Sequence, residues 1–272
     1  MKITIIADNY VDTACLVAEH GFSCLIETVN KKILFDTGQG SVLINNIRAL
    51  NIFEDIDMIV LSHGHYDHTG GLSAHLDELS GYCYDIFASE FIFDKHLKKS
   101  GDSFDNIGFK SDRSSVEQKF KLHLNSDLKQ ISENIFLSGS IIRTEKFNAD
   151  SLLYAKVDGE YVKDIFRDEQ YMVVKEEEGI HVITGCTHCG VVNLLNDVKS
   201  KFIGYKILSL TGGLHMFRSA HSQIEHVVSF MESEQIKVIN TGHCTGLEAS
   251  MLMKQKLGDR VNITKSGAVY EL

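Results

Sequence analysis

The feature that most constrains this fold is a junction, repeated five times, between a short apolar segment and a polar cluster. At each junction a run of strand length ends, and a group rich in Gly, His, Cys, Asp or Thr follows at once. The clusters lie at 36–38, 62–68, 184–190, 211–215 and 241–246. Because ligand sites in α/β proteins lie beyond the carboxyl ends of strands, we expect these clusters to surround one site.

Strand and helix patterns alternate between these clusters. The continuous apolar run 57–61 is typical of a strand buried on both faces, and 247–257 carries apolar residues at helical spacing. The polar stretch at about 100–130 is predicted to be an insertion or long connection, and the chain is predicted to close in a hairpin that turns at Ser266-Gly267. A length of 272 residues fits one domain over 1–272, with an inserted or pocket-covering segment at about 80–170.

The composition limits the choice of partners. A formal net charge of −10 opposes nucleic-acid binding through bulk electrostatics, which requires Lys and Arg to neutralise phosphates. No apolar run approaches about 18 residues, and the amino-terminal segment turns polar after Ile6, so we expect no transmembrane helix and no signal peptide. These features predict a cytoplasmic protein with reduced cysteines and with no nucleic-acid or membrane partner.

The strongest candidate site follows the apolar run 57–61 and reads SHGHYDHTGGL. Neutral imidazoles and carboxylates are good ligands for zinc and also serve iron and manganese. Such a loop can point His63 and His65 at one metal ion. Asp67 and His68 can then face a second ion close by. A solvated, histidine-rich surface loop is the alternative interpretation.

The motif HxHxDH after an apolar strand, followed by TGGL, resembles the metallo-β-lactamase superfamily over essentially the whole chain. Asp36 in ILFDTG matches the first motif of that superfamily, in which the aspartate orients the metal-binding loop. A turn former or helix cap is the alternative for Asp36. The resemblance implies an α/β fold, a four-layer αββα sandwich with its site along one edge of two facing sheets.

A narrower resemblance comes from AEHGFSCLIET, FDTGQG, DEQYMVV, VITGCTHCGVVN, TGGLHM and GHCTG. Together these segments resemble one subgroup of the superfamily. Members of that subgroup are commonly described as similar to 7,8-dihydropterin-6-yl-methyl-4-(β-D-ribofuranosyl)aminobenzene 5′-phosphate synthase. That resemblance implies a pterin-related, phosphorylated substrate. His20, in the matching EHG segment, is expected to line the pocket, or else to be an exposed turn histidine.

The superfamily resemblance also implies metal ligands at later strand ends. His188 would complete the first metal, and His243 would be the third protein ligand of the second. Where the superfamily usually has a bridging aspartate after a glycine, this chain has Cys186, so either the thiolate bridges or a hydroxide bridges alone. A redox C-x-x-C formed by Cys186 and Cys189 is the alternative.

The cluster at 211–215 is predicted to face the substrate. His215 would contact the substrate or donate a proton, with a buried structural histidine as the alternative. Gly212, Gly213 and Thr245 are further candidates for substrate binding. The remaining histidines are predicted to have no ligand role, because His181 lies mid-strand and the others lie on helices or polar loops. These are the histidines at 75, 96, 123, 181, 221 and 226.

The leading hypothesis is a metal-dependent hydrolase or transferase with two divalent ions, zinc first and manganese or iron as alternatives. A metal-bound hydroxide would attack a small, anionic substrate that carries a phosphate or carbonyl group. Asp67 would orient the hydroxide, and His215 would protonate the leaving group. The competing hypotheses are a non-catalytic metal-binding or ligand-sensing module and a diiron redox protein. The diiron hypothesis is opposed by His65, because the diiron proteins of this fold need a carboxylate at that position. A nuclease is opposed by the acidic charge.

Overall fold

The computed structural model describes residues 1–52, 56–147, 150–157 and 159–272. The strands are β1 (Lys2–Ala7), β2 (Ser23–Glu27), β3 (Lys32–Phe35), β4 (Met58–Val60), β5 (Asp85–Ser89), β6 (His96–Ser100), β7 (Ser103–Asn106), β8 (Lys121–Asn125), β9 (Lys129–Ser132), β10 (Ile135–Leu137), β11 (Leu153–Val157), β12 (Glu160–Lys163), β13 (Met172–Glu176), β14 (Gly179–Ile183), β15 (Ile207–Gly213), β16 (Val238–Gly242), β17 (Val261–Ile263) and β18 (Val269–Glu271). The helices are α1 (Ser41–Ala49), α2 (Tyr66–Ala74), α3 (Leu76–Leu79), α4 (Arg113–Glu117), α5 (Val191–Lys201), α6 (His221–Ser233) and α7 (Leu247–Leu257). Among the residues described, no helix has both the length and the apolar character needed to cross a membrane.

The chain divides into two compact units. Unit 1 comprises residues 1–125, 151–168 and 265–272, and unit 2 comprises residues 126–150 and 169–264. The interpretation of 1–272 as one domain with an insertion at about 80–170 stays a prediction. Residues 148–149 and 158 of that segment lie outside the described residues.

Unit 1 contains a seven-stranded sheet in the order β18-β1-β2-β3-β4-β5-β8 and a four-stranded antiparallel sheet in the order β12-β11-β6-β7. Strands β3, β4, β5 and β8 run parallel. The apolar face of α1 packs into a core with the central strands, through residues such as Leu43, Leu34 and Ile59. Because β3 and β4 are parallel neighbours, the clusters that follow them emerge at the same edge of the sheet.

Unit 2 contains a second seven-stranded sheet, in the order β17-β16-β15-β14-β13-β10-β9. Strands β14, β15, β16 and β17 are parallel, and helices α5, α6 and α7 contribute buried apolar faces to the core of this unit. Leu195, Val228 and Met253 represent the three helices in that core. The parallel strands therefore bring the clusters after β14, β15 and β16 to one edge.

The predicted closing hairpin is wrong. Strand β17 pairs in parallel with β16, whereas β18 pairs antiparallel with β1. The Ser266 and Gly267 N–H groups donate to the carbonyl groups of Tyr10 and Ile5. The turn at 266–267 thus satisfies its backbone groups against the start of the chain, which a local hairpin cannot supply.

The polar stretch at about 100–130, predicted to be an insertion or long connection, contains regular structure. It includes β7, α4 and β8, and β8 extends the larger sheet of unit 1 beside β5. Strand β7 is largely exposed and β8 is mostly half-buried, so neither has the apolar run that identifies a buried strand in a sequence.

Candidate metal centre

The cluster after β4 forms a short connection followed by the first turn of a helix. The connection carries His63 and His65, and the first turn of α2 carries Asp67 and His68. All four residues are buried. The ring centroid of His63 lies 4.2 Å from that of His68 and 4.7 Å from that of His65. The structure therefore brings together the predicted ligands of this cluster.

Asp36 orients two of these imidazoles through a buried hydrogen-bond network. Its Oδ2 accepts from the Ser62 hydroxyl at 2.6 Å and from His68 Nδ1 at 2.7 Å, and its Oδ1 accepts from the Ser62 N–H at 2.7 Å. The Ser62 hydroxyl lies 2.9 Å from His63 Nδ1. Since Nδ1 of each ring is engaged in this network, a metal ion would be bound through Nε2.

Burial keeps these imidazoles in the form that binds metals. It lowers the pKa of His63 well below its usual value, and the neighbouring His68 adds to the effect. Burial, followed by the charge on His96, lowers the pKa of His65 to about 3. Both rings are therefore neutral at physiological pH, as metal ligation requires.

A carboxylate from elsewhere in the sequence anchors the loop between His63 and His65. The N–H of Gly64 donates to Asp168 Oδ2 at 2.6 Å. A Cβ at position 64 would lie 2.5 Å from the Ile92 carbonyl oxygen, so this close approach requires glycine.

His96 completes this anchor as a buried cation. Its Nε2 lies 3.1 Å from Asp168 Oδ2 and its Nδ1 lies 2.6 Å from Asp164 Oδ2. Although burial opposes the charged form, Asp168 and Asp164 raise the pKa of His96 to about 10. The ring lies 4.9 Å from that of His65. Both nitrogens of the imidazolium therefore donate to carboxylates behind a predicted metal ligand.

The sequence interpretation missed this group. His96 was placed on a helix or polar loop without a role, but it is buried on β6, and His123 likewise lies on β8. The alternation of polar and apolar residues in HLKKS is too weak to identify a strand. The segment DEQYMVV, which contains Asp168, is the one signal that pointed to this region.

In unit 2, the cluster after β14 is a tight turn that leads into α5. Its backbone is held by Glu169, whose two carboxylate oxygens accept from the His188 N–H at 2.5 Å and the Cys189 N–H at 2.8 Å. Burial raises the pKa of Glu169 to about 7, against the effect of these hydrogen bonds. Sequence reasoning did not identify this contact of Glu169 with the turn.

His188, His215 and His243 follow three adjacent parallel strands of unit 2. The ring centroids of His188 and His215 lie 4.3 Å apart. The backbones of His215 and His243 adopt left-handed φ angles of 46° and 45°. Non-glycine residues in this region store strain and cluster at functional sites.

The thiols of unit 2 pair differently from the C-x-x-C spacing. Cys186 Sγ lies 2.9 Å from Cys244 Sγ, whereas the Cys189 thiol contacts the Gly190 carbonyl oxygen at 3.6 Å. The His215 N–H donates to Cys244 Sγ at 3.3 Å. Cys244 is thus a further group at these strand ends that the sequence interpretation did not select.

The residues predicted to bind substrate lie in different settings. His20 is exposed, and its Nε2 lies 3.2 Å from Asp67 Oδ2. Gly212 and Gly213 are buried at the end of β15. The Thr245 hydroxyl is buried, accepts from the Leu214 N–H at 2.8 Å and lies 2.6 Å from the Thr241 hydroxyl.

Known proteins are similar to this chain in sequence and in fold. Residues 17–80 match the family model of the metallo-beta-lactamase superfamily. The uncharacterized protein MJ0448 of Methanocaldococcus jannaschii is 31% identical over 259 residues, which cover 93% of this chain and 94% of that protein. A second relative from the same organism is 29% identical over 288 residues, which cover 100% of this chain and 96% of that protein. It is the 7,8-dihydropterin-6-methyl-4-(beta-D-ribofuranosyl)-aminobenzene-5'-phosphate synthase. The crystal structure of Tm1679, described as a metal-dependent hydrolase of the beta-lactamase superfamily, has a TM-score of 0.86 and 29% identity, with 100% of this chain and 99% of that one covered.

These likenesses agree with the architecture and the motifs. The matched segment 17–80 contains Asp36 and the cluster 62–68. The mixed α/β fold predicted from the sequence is confirmed by the likeness to Tm1679 over the whole chain. The chain belongs to the metallo-β-lactamase superfamily.

Proposed function

We propose that this protein is a metal-dependent hydrolase or transferase with two divalent metal ions, zinc being the first candidate and manganese and iron the alternatives. The carrying observation is the buried donor set of the cluster 62–68, in which Asp36 and Ser62 engage Nδ1 of His68 and His63. Imidazoles oriented in this way by a carboxylate are a common feature of zinc sites.

The donor chemistry fits such a centre. In the proposal, His63 and His65 contribute to one ion, and Asp67 and His68 contribute to the other. The assignments of His188 to the first ion and of His243 to the second come from the superfamily resemblance and stay predictions. These nitrogen and oxygen donors suit zinc, and manganese and iron accept the same types. Cys186 as a bridge remains the alternative to a bridge made by water.

When bound, two such ions supply a water of lowered pKa and polarise a phosphoryl or carbonyl oxygen. The chain's own contribution is to orient the reacting groups. The Asp67 carboxylate, a proton acceptor, would orient the attacking water. Asp36 and Asp168 would hold the histidine loop rigid, since both bind its backbone or side chains. The predicted proton-donor role of the His215 imidazole stays a prediction.

A small, anionic substrate is proposed, and a pterin-related one is its most specific form. The similarity to the M. jannaschii synthase over the whole chain supports this choice. Unit 2 also contains a cavity of about 360 Å³, a volume within the usual range for small-molecule sites. Phe147, Leu214 and Met216 give this cavity apolar surface, and Lys146 and His226 give it basic groups. The Glu145 carboxylate also lines it and lies 3.3 Å from His226 Nε2. The apolar surface suits a planar ring, and Lys146 suits an attached phosphate.

The test begins with metal content, measured by mass spectrometry on protein purified without a His-tag or chelator. We expect about two equivalents per chain from this centre, and hydrolysis or transfer in a screen of phosphoesters, lactones and a phosphorylated pterin. The double variant H63A/H65A should lose these two equivalents and at least a hundredfold in activity. The matched double variant H123A/H221A, which removes two histidines elsewhere, should keep both. Unchanged activity in H63A/H65A would overturn the proposal.

A further inference from the structure

We propose that Cys186, His215 and Cys244 form a second kind of metal site, specific for a borderline-soft divalent ion such as zinc. This Cys-His-Cys cluster lies within unit 2, and one ligand atom from each residue falls within 4.8 Å of the other two. The inference goes beyond the proposed function and gives Cys186 a role other than that of a bridge.

The position of the two sulfurs is built into the fold. Cys186 follows β14 and Cys244 follows β16, and both strands flank β15 in the same parallel sheet. A Cβ at Gly213 would lie 2.4 Å from Cys244 Sγ, so this glycine makes room for the thiol. Both cysteines are buried. The thiol pair is therefore fixed by the strand order and does not depend on a flexible loop.

The environment of the His215 imidazole favours a metal ion over a disulfide. Its Nδ1 is buried and has no hydrogen-bond partner within the described part of the chain. Its backbone is held in the strained left-handed region, at φ 46°. A disulfide would use the two sulfurs and leave this nitrogen unsatisfied, whereas a metal ion would use all three groups.

The charge and geometry of the cluster fit zinc. Two thiolates and a neutral imidazole balance a divalent charge in a buried place. With Zn–S bonds of about 2.3 Å, tetrahedral ligation places two sulfurs about 3.8 Å apart. The observed 2.9 Å separation must therefore open by about 1 Å, a small side-chain adjustment.

Three protein ligands leave one position of a tetrahedral ion open, which is typical of a catalytic zinc site and not of a structural one. His215 is partly exposed, so this position is accessible. The fourth ligand would be water or an anionic group of a bound molecule.

The test is a cadmium(II) titration of the reduced, metal-free full chain, followed by ultraviolet absorption. Thiolate ligation produces a charge-transfer band, which nitrogen and oxygen ligands do not. We expect a band that saturates at one equivalent of thiolate-bound metal. It should fall by about half in C186S or C244S and vanish in C186S/C244S. In H215A the band should persist, but cadmium should bind with at least tenfold lower affinity.

Two controls separate this site from the proposed function. C189S removes a buried thiol of the same turn and should keep the full band. H63A/H65A should also keep it, even though the proposed hydrolytic activity is lost. A wild-type protein without the band, or a band unchanged in both C186S and C244S, would overturn the inference.

A second measurement needs no variant, and so does not depend on the folding of C244S. Alkylation rates are measured by mass spectrometry with and without zinc. Zinc should slow the modification of Cys186 and Cys244 at least tenfold and leave the exposed Cys15 unaffected. Equal rates, or a Cys186–Cys244 disulfide that persists in the presence of zinc, would contradict the proposal.

Discussion

Asp36 is the residue on which most of the local order in the metal-binding loop depends. It is fully buried, has a left-handed φ of 54° and accepts three hydrogen bonds from Ser62 and His68. A carboxylate that orients a ligand in this way tunes metal affinity without touching the ion. Its effect should therefore appear in metal binding more than in folding.

We expect D36N to lower metal affinity or activity about 10- to 100-fold, because an amide cannot accept all three hydrogen bonds. Affinity is measured by competition with a chromogenic chelator. D57N is a suitable control, since Asp57 also binds a backbone N–H in unit 1 but lies at the surface and away from the predicted ligands. Equal metal affinity in D36N and the wild type would contradict this role.

His96 should make the stability of the metal-free protein depend on pH. Its pKa is raised from 6.5 to about 10, so its stabilising charge is fully present below pH 6.5 and is lost as the pH rises to about 10. We expect the free energy of unfolding to fall by on the order of a few kcal/mol across this range. Urea denaturation at several pH values measures the change.

Two variants test whether this pH dependence of the free energy of unfolding comes from His96. H96Q should flatten the loss of stability between pH 6.5 and 10, since the amide does not titrate. H123Q should keep it, because the partly exposed His123–Asp85 pair lies on a different strand. A slope that is the same in H96Q and the wild type would show that another group is responsible.

At the scale of elements, the segment between β12 and β13 supplies two adjacent carboxylates, and each of them binds the backbone of a different histidine loop. The two histidine loops are the clusters 62–68 and 184–190. Asp168 binds the Gly64 N–H within unit 1, and its neighbour Glu169 binds the His188 and Cys189 N–H groups within unit 2. Each unit thus holds its own histidine loop with one of two adjacent carboxylates.

We predict that D168N and E169Q each weaken metal binding about tenfold or more, because an amide leaves part of the loop's donor set unsatisfied. Metal dissociation rates in the presence of excess chelator provide the measurement. E177Q, in the exposed turn between β13 and β14, is the matched control. Unchanged dissociation in both variants would reduce these carboxylates to a structural role.

At the scale of the whole molecule, bound metal should stabilise the native chain, since the unfolded chain holds no assembled ligand set. At a free metal concentration a hundredfold above Kd, the gain is about 2.7 kcal/mol, or roughly 5–10 °C in Tm for a chain of this size. Differential scanning fluorimetry with zinc and then excess chelator measures it. The shift should be reversed by the chelator and be much smaller in H63A/H65A.

The sequence by itself determined the α/β class, the strands and helices with clear apolar periodicity, and the candidate ligands of the cluster 62–68. Helix α7 begins and ends at the predicted residues, because a local 3.6-residue pattern carries that information. The metal-binding motif is also local, since its ligands lie within one short segment. The role of Asp36 required only the resemblance of two motifs.

Only the tertiary structure decided the contacts that join distant segments. His96 meets Asp164 and Asp168 across 68 and 72 residues, and Cys186 meets Cys244 across 58. Strands β17 and β18 are close in sequence but belong to different sheets. No local pattern encodes such pairings, because they follow from strand order and burial. A polar residue becomes a buried ion or a metal ligand only when the fold brings its partner to it.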